Sequence, residues 1–149
     1  MKKLLFVLAG VAFAWTAVAQ ELRITHGPYL CDMTHDGVTV VWTTSKPALS
    51  WVEASPADSL NAPALRQARY YQTVAGRKLA CRTLHAVRVR GLQSGTDYRY
   101  RIFSQEVQSW PDVNNVTYGK TLDADASRRR AYEFRTFPQA GSGCSFIVL

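Results

Sequence analysis

Histidine and cysteine side chains, which commonly ligate metals or act in catalysis, are few in this chain and widely spaced. Three histidines and three cysteines occur in 149 residues. They are His26, His35, His85, Cys31, Cys81 and Cys144. No two histidines have the spacing of a ligand pair beside an acidic residue, and no two cysteines form the CxxC pair typical of zinc sites. The sequence therefore indicates no catalytic, cofactor-binding or metal-binding residue.

The cysteines are odd in number, so at least one thiol stays unpaired if the chain folds in an oxidising compartment. A disulfide between Cys31 and Cys81 is conceivable from the sequence. Small buried or unpaired thiols are the alternative, and the absence of any paired spacing favours it.

A segment of alternating side chains surrounds His85. His85, Val87 and Val89 fall on one face of a predicted strand, and arginines 88 and 90 fall on the other. This pattern predicts that His85 is an inward-facing structural histidine at the end of a strand rather than a metal ligand. Turn residues 91–95 follow, and a second alternating strand begins at Tyr98. The step of six residues from Leu92 to Tyr98 predicts a tyrosine corner, a feature of β-sandwiches.

Further segments have the composition of strands. They are Leu22–His26, Val38–Thr44, Ala48–Ala54, a hairpin of residues 69–74 and 77–79, and Ala131–Phe137. Gly27-Pro28 and Lys46-Pro47 are expected to end the strands before them, because proline donates no ladder hydrogen bond. Trp42 is expected in the core, with a partner for its indole N–H. Together the segments predict an all-β, antiparallel β-sandwich of about seven strands.

Residues 105–130 are too many for an ordinary loop between strands of a compact sandwich. They include Trp110-Pro111 and Tyr118, whose rings would be costly if simply exposed. We expect this insertion to have small strands of its own or a docking role.

The formal charge of +7 falls to +5 when Lys2 and Lys3 are removed with a leader. Arginines lie on predicted strands at positions 88, 90, 99 and 101 and form a run at 128–130. Such charge could attract anions, but alternating arginines on a strand are typical of a solvent-exposed face. Aromatic residues do not interleave with the run, and nucleic acid is therefore not an expected partner.

Both ends of the chain depart from the sandwich pattern. Residues 1–19 have two lysines, an apolar core and an Ala-Val-Ala site, which predict a secretory signal peptide and no membrane span. The protein is therefore expected to be exported, to a periplasmic, cell-surface or extracellular location. Residues 138–143 have linker composition, and the continuous apolar run within 144–149 is typical of the first strand of a truncated α/β domain.

Four motifs give the chain a family resemblance. They are GPYL at 27–30, VTVVWTT at 38–44, HAVRVRGLQSGTDYRYRI at 85–102 and YEFRTF at 132–137. With the apolar strand after the linker, they resemble the N-terminal domain of purple acid phosphatases and related secreted metallophosphoesterases. The resemblance implies that residues 20–137 form a fibronectin type III-like sandwich of the immunoglobulin-like kind.

The resemblance also implies a function. In that family a strand like Phe146–Leu149 leads into an Asp-x-His motif, and further ligands hold two metal ions of the iron, zinc or manganese type that bridge the phosphoryl group. None of those motifs occurs in this chain. The implied role is a non-catalytic accessory domain whose partner is its own missing C-terminal phosphoesterase domain. A free-standing adhesion or glycan-binding module is the alternative, because fibronectin-type sandwiches have many functions.

Overall fold

The computed structural model describes residues 20–58, 68–112, 114–124 and 132–139. The predicted signal peptide, the arginine run at 128–130 and the apolar strand at 144–149 lie outside these ranges, as does most of the predicted linker.

The described residues are all-β, as predicted. Their strands are β1 (Ile24–Cys31), β2 (Gly37–Pro56), β3 (Ala68–Tyr71), β4 (Thr73–Val74), β5 (Arg77–Lys78), β6 (Arg82–Arg90), β7 (Asp97–Asp112), β8 (Asn115–Asp123) and β9 (Tyr132–Arg135). All strand pairs are antiparallel. Within the described ranges there is no helix with the length and apolarity needed to cross a membrane.

Strand β2 belongs to both layers of a β-sandwich. Its first part, Gly37–Thr43, pairs with β1 on one side and β6 on the other. Its second part, Ala48–Pro56, pairs with β7, and residues within it also pair with β3. Strands β8 and β9 then pair with different parts of β7. The two parts of β2 thus place β1 and β6 in one layer and β3, β7, β8 and β9 in the other.

The prediction that Lys46-Pro47 separates two strands was wrong. The β2–β6 register shifts between Thr43 and Ala48, so Pro47 lies where neither neighbouring strand requires its missing N–H. The strand can therefore continue from one layer into the other.

The predicted end of the first strand at Gly27-Pro28 was also wrong. Strand β1 continues through a cis Gly27–Pro28 bond to Cys31, and the bond lies within a register irregularity between His26 and Tyr29. Among the described strands β1 pairs with β2 alone, so one edge of β1 has no partner strand. Pro28 can lie at this edge without removing a ladder hydrogen bond. Gly27 has φ +89°, and a Cβ there would lie 2.7 Å from the carbonyl oxygen of Val41. Glycine is therefore required where β1 crosses close to β2.

The core lies between the layers and contains the predicted inward faces. Apolar side chains from both parts of β2 pack there against β6, β7 and β9. They are Val38, Val40, Trp42, Val52, Ala54, Val87, Val89, Tyr98, Tyr100, Ile102 and Phe134. The indole N–H of Trp42 donates a 3.1 Å hydrogen bond to the Ser104 hydroxyl, which also accepts one of 2.9 Å from Ser50. The expected partner for the Trp42 N–H is thus present.

The tyrosine corner is also confirmed. The Tyr98 hydroxyl accepts a 2.8 Å hydrogen bond from the backbone N–H of Gln93, in the turn before β7. The bond fixes the turn against a buried ring, since Tyr98 is 5% exposed.

The insertion after residue 105 continues the sheet. Strand β7 extends to Asp112 and returns as β8, which forms a long hairpin with several register shifts. The expected strands within the insertion are therefore present, while Trp110 and Tyr118 remain 50% and 39% exposed. The last predicted strand is present as β9, shorter than expected.

Candidate ligand-binding surface

The one buried histidine in the described part of the chain, His85, has a structural environment. His85 is 2% exposed, and its Nε2 lies 2.9 Å from the Thr44 hydroxyl oxygen. Thr44 donates its own proton to the Lys46 carbonyl at 2.8 Å, so Nε2–H of His85 must be the donor to Thr44. Burial lowers the pKa of His85 from 6.5 to about 4, which keeps the ring neutral near pH 7. His26 contacts Thr43 through Nδ1 at 3.2 Å, and His35 is exposed.

The residues of the described ranges include no group of three or more His, Cys, Asp or Glu side chains that could hold a metal ion. The two-metal centre implied by the family resemblance is therefore not built from this part of the chain, and no chemistry through a metal follows from it.

The two cysteines in the described residues are free thiols. Cys31 is exposed on β1, and Cys81 is half-buried just before β6. The conceivable Cys31–Cys81 disulfide is absent, and Cys144 lies outside the described residues. Burial raises the pKa of Cys81, which disfavours its thiolate.

Three of the four strand arginines form ion pairs. Arg88 donates to the Asp32 carboxylate at 2.9 Å and to the Thr34 hydroxyl at 3.0 Å, which ties the loop after β1 to β6. Arg99 pairs with Glu133 at 3.1 Å, and Arg101 pairs with Asp123. These arginines hold strands together, so their charge is partly neutralised and they do not form an open anion-binding face.

A cleft of about 510 Å³ lies at the far end of β7, where exposed cations and an exposed indole come together. Its lining includes Arg77 and Lys78 of β5, Cys81, and Trp110 and Asp112 of β7. The strand register explains this arrangement. Ala48 of β2 pairs both with Arg82, at the start of β6, and with Glu106 of β7, so the hairpin before β6 and the extension of β7 pass beyond β2 at the same point.

A two-residue turn presents the two cations. Thr73 pairs with Lys78 and Val74 with Arg77, which leaves Ala75 and Gly76 as the turn, both with positive φ. This is the backbone of a type I′ hairpin turn. The Lys78 ammonium lies 3.7 Å from the centre of the Tyr71 ring. This cation–π contact holds the hairpin against β3 and fixes the position of the charge.

The turn between β7 and β8 is held by Asp112. Its carboxylate accepts hydrogen bonds from the Asn115 side chain at 2.6 Å and from the backbone N–H groups of Asn114 and Asn115 at 2.8 and 3.1 Å. These bonds lower the pKa of Asp112, and the bond from the Asn115 side chain has the largest effect. The carboxylate thus shapes the turn between β7 and β8. The turn in turn positions Trp110 and Pro111, the two residues directly before Asp112.

Sequence comparison assigns no family to the chain. No protein-family model matches it, and no curated protein matches it significantly.

Residues of this cleft are visible in the sequence as separate features only. The sequence pattern predicts an exposed Trp110-Pro111 and a hairpin around Ala75-Gly76 that includes Arg77 and Lys78, with no link between the two. Of the arginines on strands, Arg88, Arg99 and Arg101 form ion pairs instead. A solvent-exposed Trp and two consecutive cations were the available signal, and only the register of β2 shows that they line one cleft.

Proposed function

We propose that this chain is the non-catalytic accessory domain of a secreted metallophosphoesterase, and that it supports a catalytic domain that follows it in the parent protein. The proposal starts from the resemblance carried by GPYL, VTVVWTT, the tyrosine-corner segment and YEFRTF. In the described residues several polar groups of these motifs bond within the sandwich, among them the Trp42 indole, the Tyr98 hydroxyl and the Thr136 hydroxyl.

The exit segment, Thr136-Phe137, is the observation that favours support of a following domain. The Thr136 hydroxyl donates to the Gln93 carbonyl at 2.6 Å and accepts from the Thr96 N–H at 3.0 Å. The Phe137 N–H donates to the Thr34 carbonyl at 3.2 Å, and its carbonyl accepts from Gly95 N–H at 3.1 Å. Thr136 and Phe137 are thus bonded to two loops at the end of the sandwich, the loop before β7 and the loop between β1 and β2.

The Phe137 side chain is 49% exposed at this exit. A large apolar side chain beside a fixed exit suits a contact with the next domain, because burying it there would gain about 1.5–3 kcal/mol. A domain that begins after the linker would therefore be held at a defined position relative to the sandwich.

Reading the source gene beyond the codon for Leu149 tests this proposal directly. We expect an Asp-x-His motif immediately after the apolar strand, followed by further Asp, Asn and His ligands. A stop codon, or an unrelated domain, would refute the proposal and leave the free-standing module as the better interpretation.

The supporting role has its own test in that parent protein. Thr136→Val removes the hydroxyl of the exit segment with little change of shape. We expect phosphatase activity to be lost at a lower temperature than in the parent, with turnover at low temperature unchanged. Thr121→Val, on the exposed face of β8, is the control and should leave thermal inactivation unaltered. Equal inactivation of both variants and the parent would argue against support through the exit segment.

A further inference from the structure

We propose that the cleft between the β4–β5 hairpin and the β7–β8 hairpin binds an acidic saccharide, with a sugar ring stacked on Trp110 and its carboxylate or sulfate held by Arg77 and Lys78. This site is separate from the exit segment, and the proposal stands whether or not a phosphoesterase domain follows the chain.

Trp110 provides the apolar half of the site. Its side chain is 50% exposed, although a large aromatic ring is among the side chains that gain most from burial. Pro111 lies beside it in the lining and adds a second rigid apolar surface. A pyranose ring has a flat patch of C–H groups that can pack on such a surface while its hydroxyl groups remain in water. An open cleft with one exposed indole suits a ligand that stays partly hydrated.

Arg77 and Lys78 provide the charged half. Both are exposed, and no ion pair is formed by either in the described residues. The cation–π contact with Tyr71 holds the Lys78 ammonium in place but leaves its charge uncompensated. Asp112 is the acidic residue in the lining, and its carboxylate already accepts three hydrogen bonds from the β7–β8 turn. The two cations outnumber this one carboxylate, so the net charge of the lining is positive, which suits an anion.

The combination of an exposed indole with two cations favours a saccharide over an acidic peptide. A peptide made of acidic residues alone would pair with the two cations but would leave the Trp110 ring exposed. A neutral sugar would use Trp110 but would gain nothing from the cations. A uronic acid or a sulfated sugar satisfies both halves with one ring.

Calorimetric titration of the purified chain with trigalacturonic acid tests the proposal. Its fully methyl-esterified form has the same rings without the charge, and hexaglutamate has the charge without the rings. We expect trigalacturonic acid to bind at least about tenfold more tightly than either, a difference of about 1.4 kcal/mol. No detectable binding of trigalacturonic acid, or equal binding of the ester or of hexaglutamate, would overturn the proposal.

Variants assign the binding to this cleft. Trp110→Ala and the double variant Arg77→Gln/Lys78→Gln should each weaken binding by about tenfold or more. Trp110→Tyr retains an aromatic ring and should restore most of the affinity. Phe137→Ala and Arg23→Gln change an exposed ring and an exposed cation outside the cleft and should leave affinity unchanged. Binding that survives Trp110→Ala, in a variant whose circular dichroism matches the parent, would place the ligand elsewhere and refute the assignment.

Discussion

The Tyr98 hydroxyl accepts a 2.8 Å hydrogen bond from the backbone N–H of Gln93, five residues earlier. Tyr98→Phe would leave this N–H without its partner in a partly buried turn. We expect the free energy of unfolding to fall by about 0.5–1.5 kcal/mol, measured by urea denaturation. Tyr29→Phe is the matched control because the Tyr29 side chain is 57% exposed, and it should have no measurable effect. Equal stability of both variants would show that the corner bond contributes nothing.

Ser104 joins two core side chains across the layers. Its hydroxyl accepts from the Trp42 indole and from Ser50, so Ser104→Ala would leave two buried donors unpaired. We expect it to cost about 1–3 kcal/mol, and Trp42→Ala to cost about 3–5 kcal/mol because it also opens a cavity. The double variant should be less destabilised than the sum of the two. Strict additivity in denaturant unfolding would show that the Trp42–Ser104 bond does not couple them.

Gly27 and Gly91 allow backbone strain to be separated from steric overlap. Both have positive φ, at +89° and +74°, but a Cβ at Gly27 would lie 2.7 Å from Val41 O while a Cβ at Gly91 would meet nothing within 4 Å. Gly91→Ala should cost about 1–2 kcal/mol through its conformation alone. Gly27→Ala should cost clearly more, because β1 must also move away from β2. Similar midpoints of thermal unfolding for the two variants would contradict this account of the first strand.

His85 should make the stability depend on pH. Burial lowers its pKa from 6.5 to about 4 in the folded chain, so between these values the unfolded state binds the proton that the folded state excludes. The contribution is fully present above pH 6.5 and is lost as the pH falls towards 4, by at most about 3 kcal/mol. His85→Gln cannot titrate, and its melting temperature should fall less than that of the parent between pH 7 and pH 5. The same fall in both proteins would assign the acid sensitivity to other groups.

The chain should hydrolyse no phosphate ester, even with added iron, zinc or manganese. The family resemblance implies that the metal ligands would follow Leu149. In the described residues no three His, Cys, Asp or Glu side chains come together in a group that could hold a metal ion. Release of nitrophenol from nitrophenyl phosphate, measured on fractions from the last purification column, is the assay. Metal-dependent activity that co-elutes with the chain would contradict the non-catalytic role.

Local pattern was sufficient to predict the inward faces of the strands that contain Trp42, His85 and Tyr98, but not that of Ala48–Ala54, where residues of both faces are buried. Alternation placed His85, Val87 and Val89 on one face, and all three are buried. Trp42 was predicted in the core because a large ring in a strongly β-forming segment has few other favourable positions. These predictions depend on neighbours two residues apart, which the sequence shows directly.

The effect of the two prolines on the strands could not be predicted from the local sequence. Pro28 and Pro47 were each interpreted as strand ends, because a missing N–H is costly in a paired ladder. Pro28 lies on the single-paired strand β1, and Pro47 lies in a register shift, so neither loses a ladder bond. Whether a given N–H needs a partner depends on tertiary pairing, and the local sequence does not contain that information.

The cleft could not be predicted for a related reason. Arg77 and Trp110 are far apart in the chain, and each belongs to a different hairpin. Their proximity follows from the pairing of Ala48 with both Arg82 and Glu106. A sequence without aligned relatives shows neither of these pairings.

Because β2 runs through both layers, we expect the sandwich to unfold as one cooperative unit. A register slip of one residue against β6 would turn Val38 and Trp42 away from the core, and through the same backbone it would disturb the pairing of Val52 with β7. Neither layer can therefore unfold while the other keeps its packing. The central amide protons of β2 should exchange with solvent only through global unfolding, and so more slowly than those of any other strand in the described part of the chain.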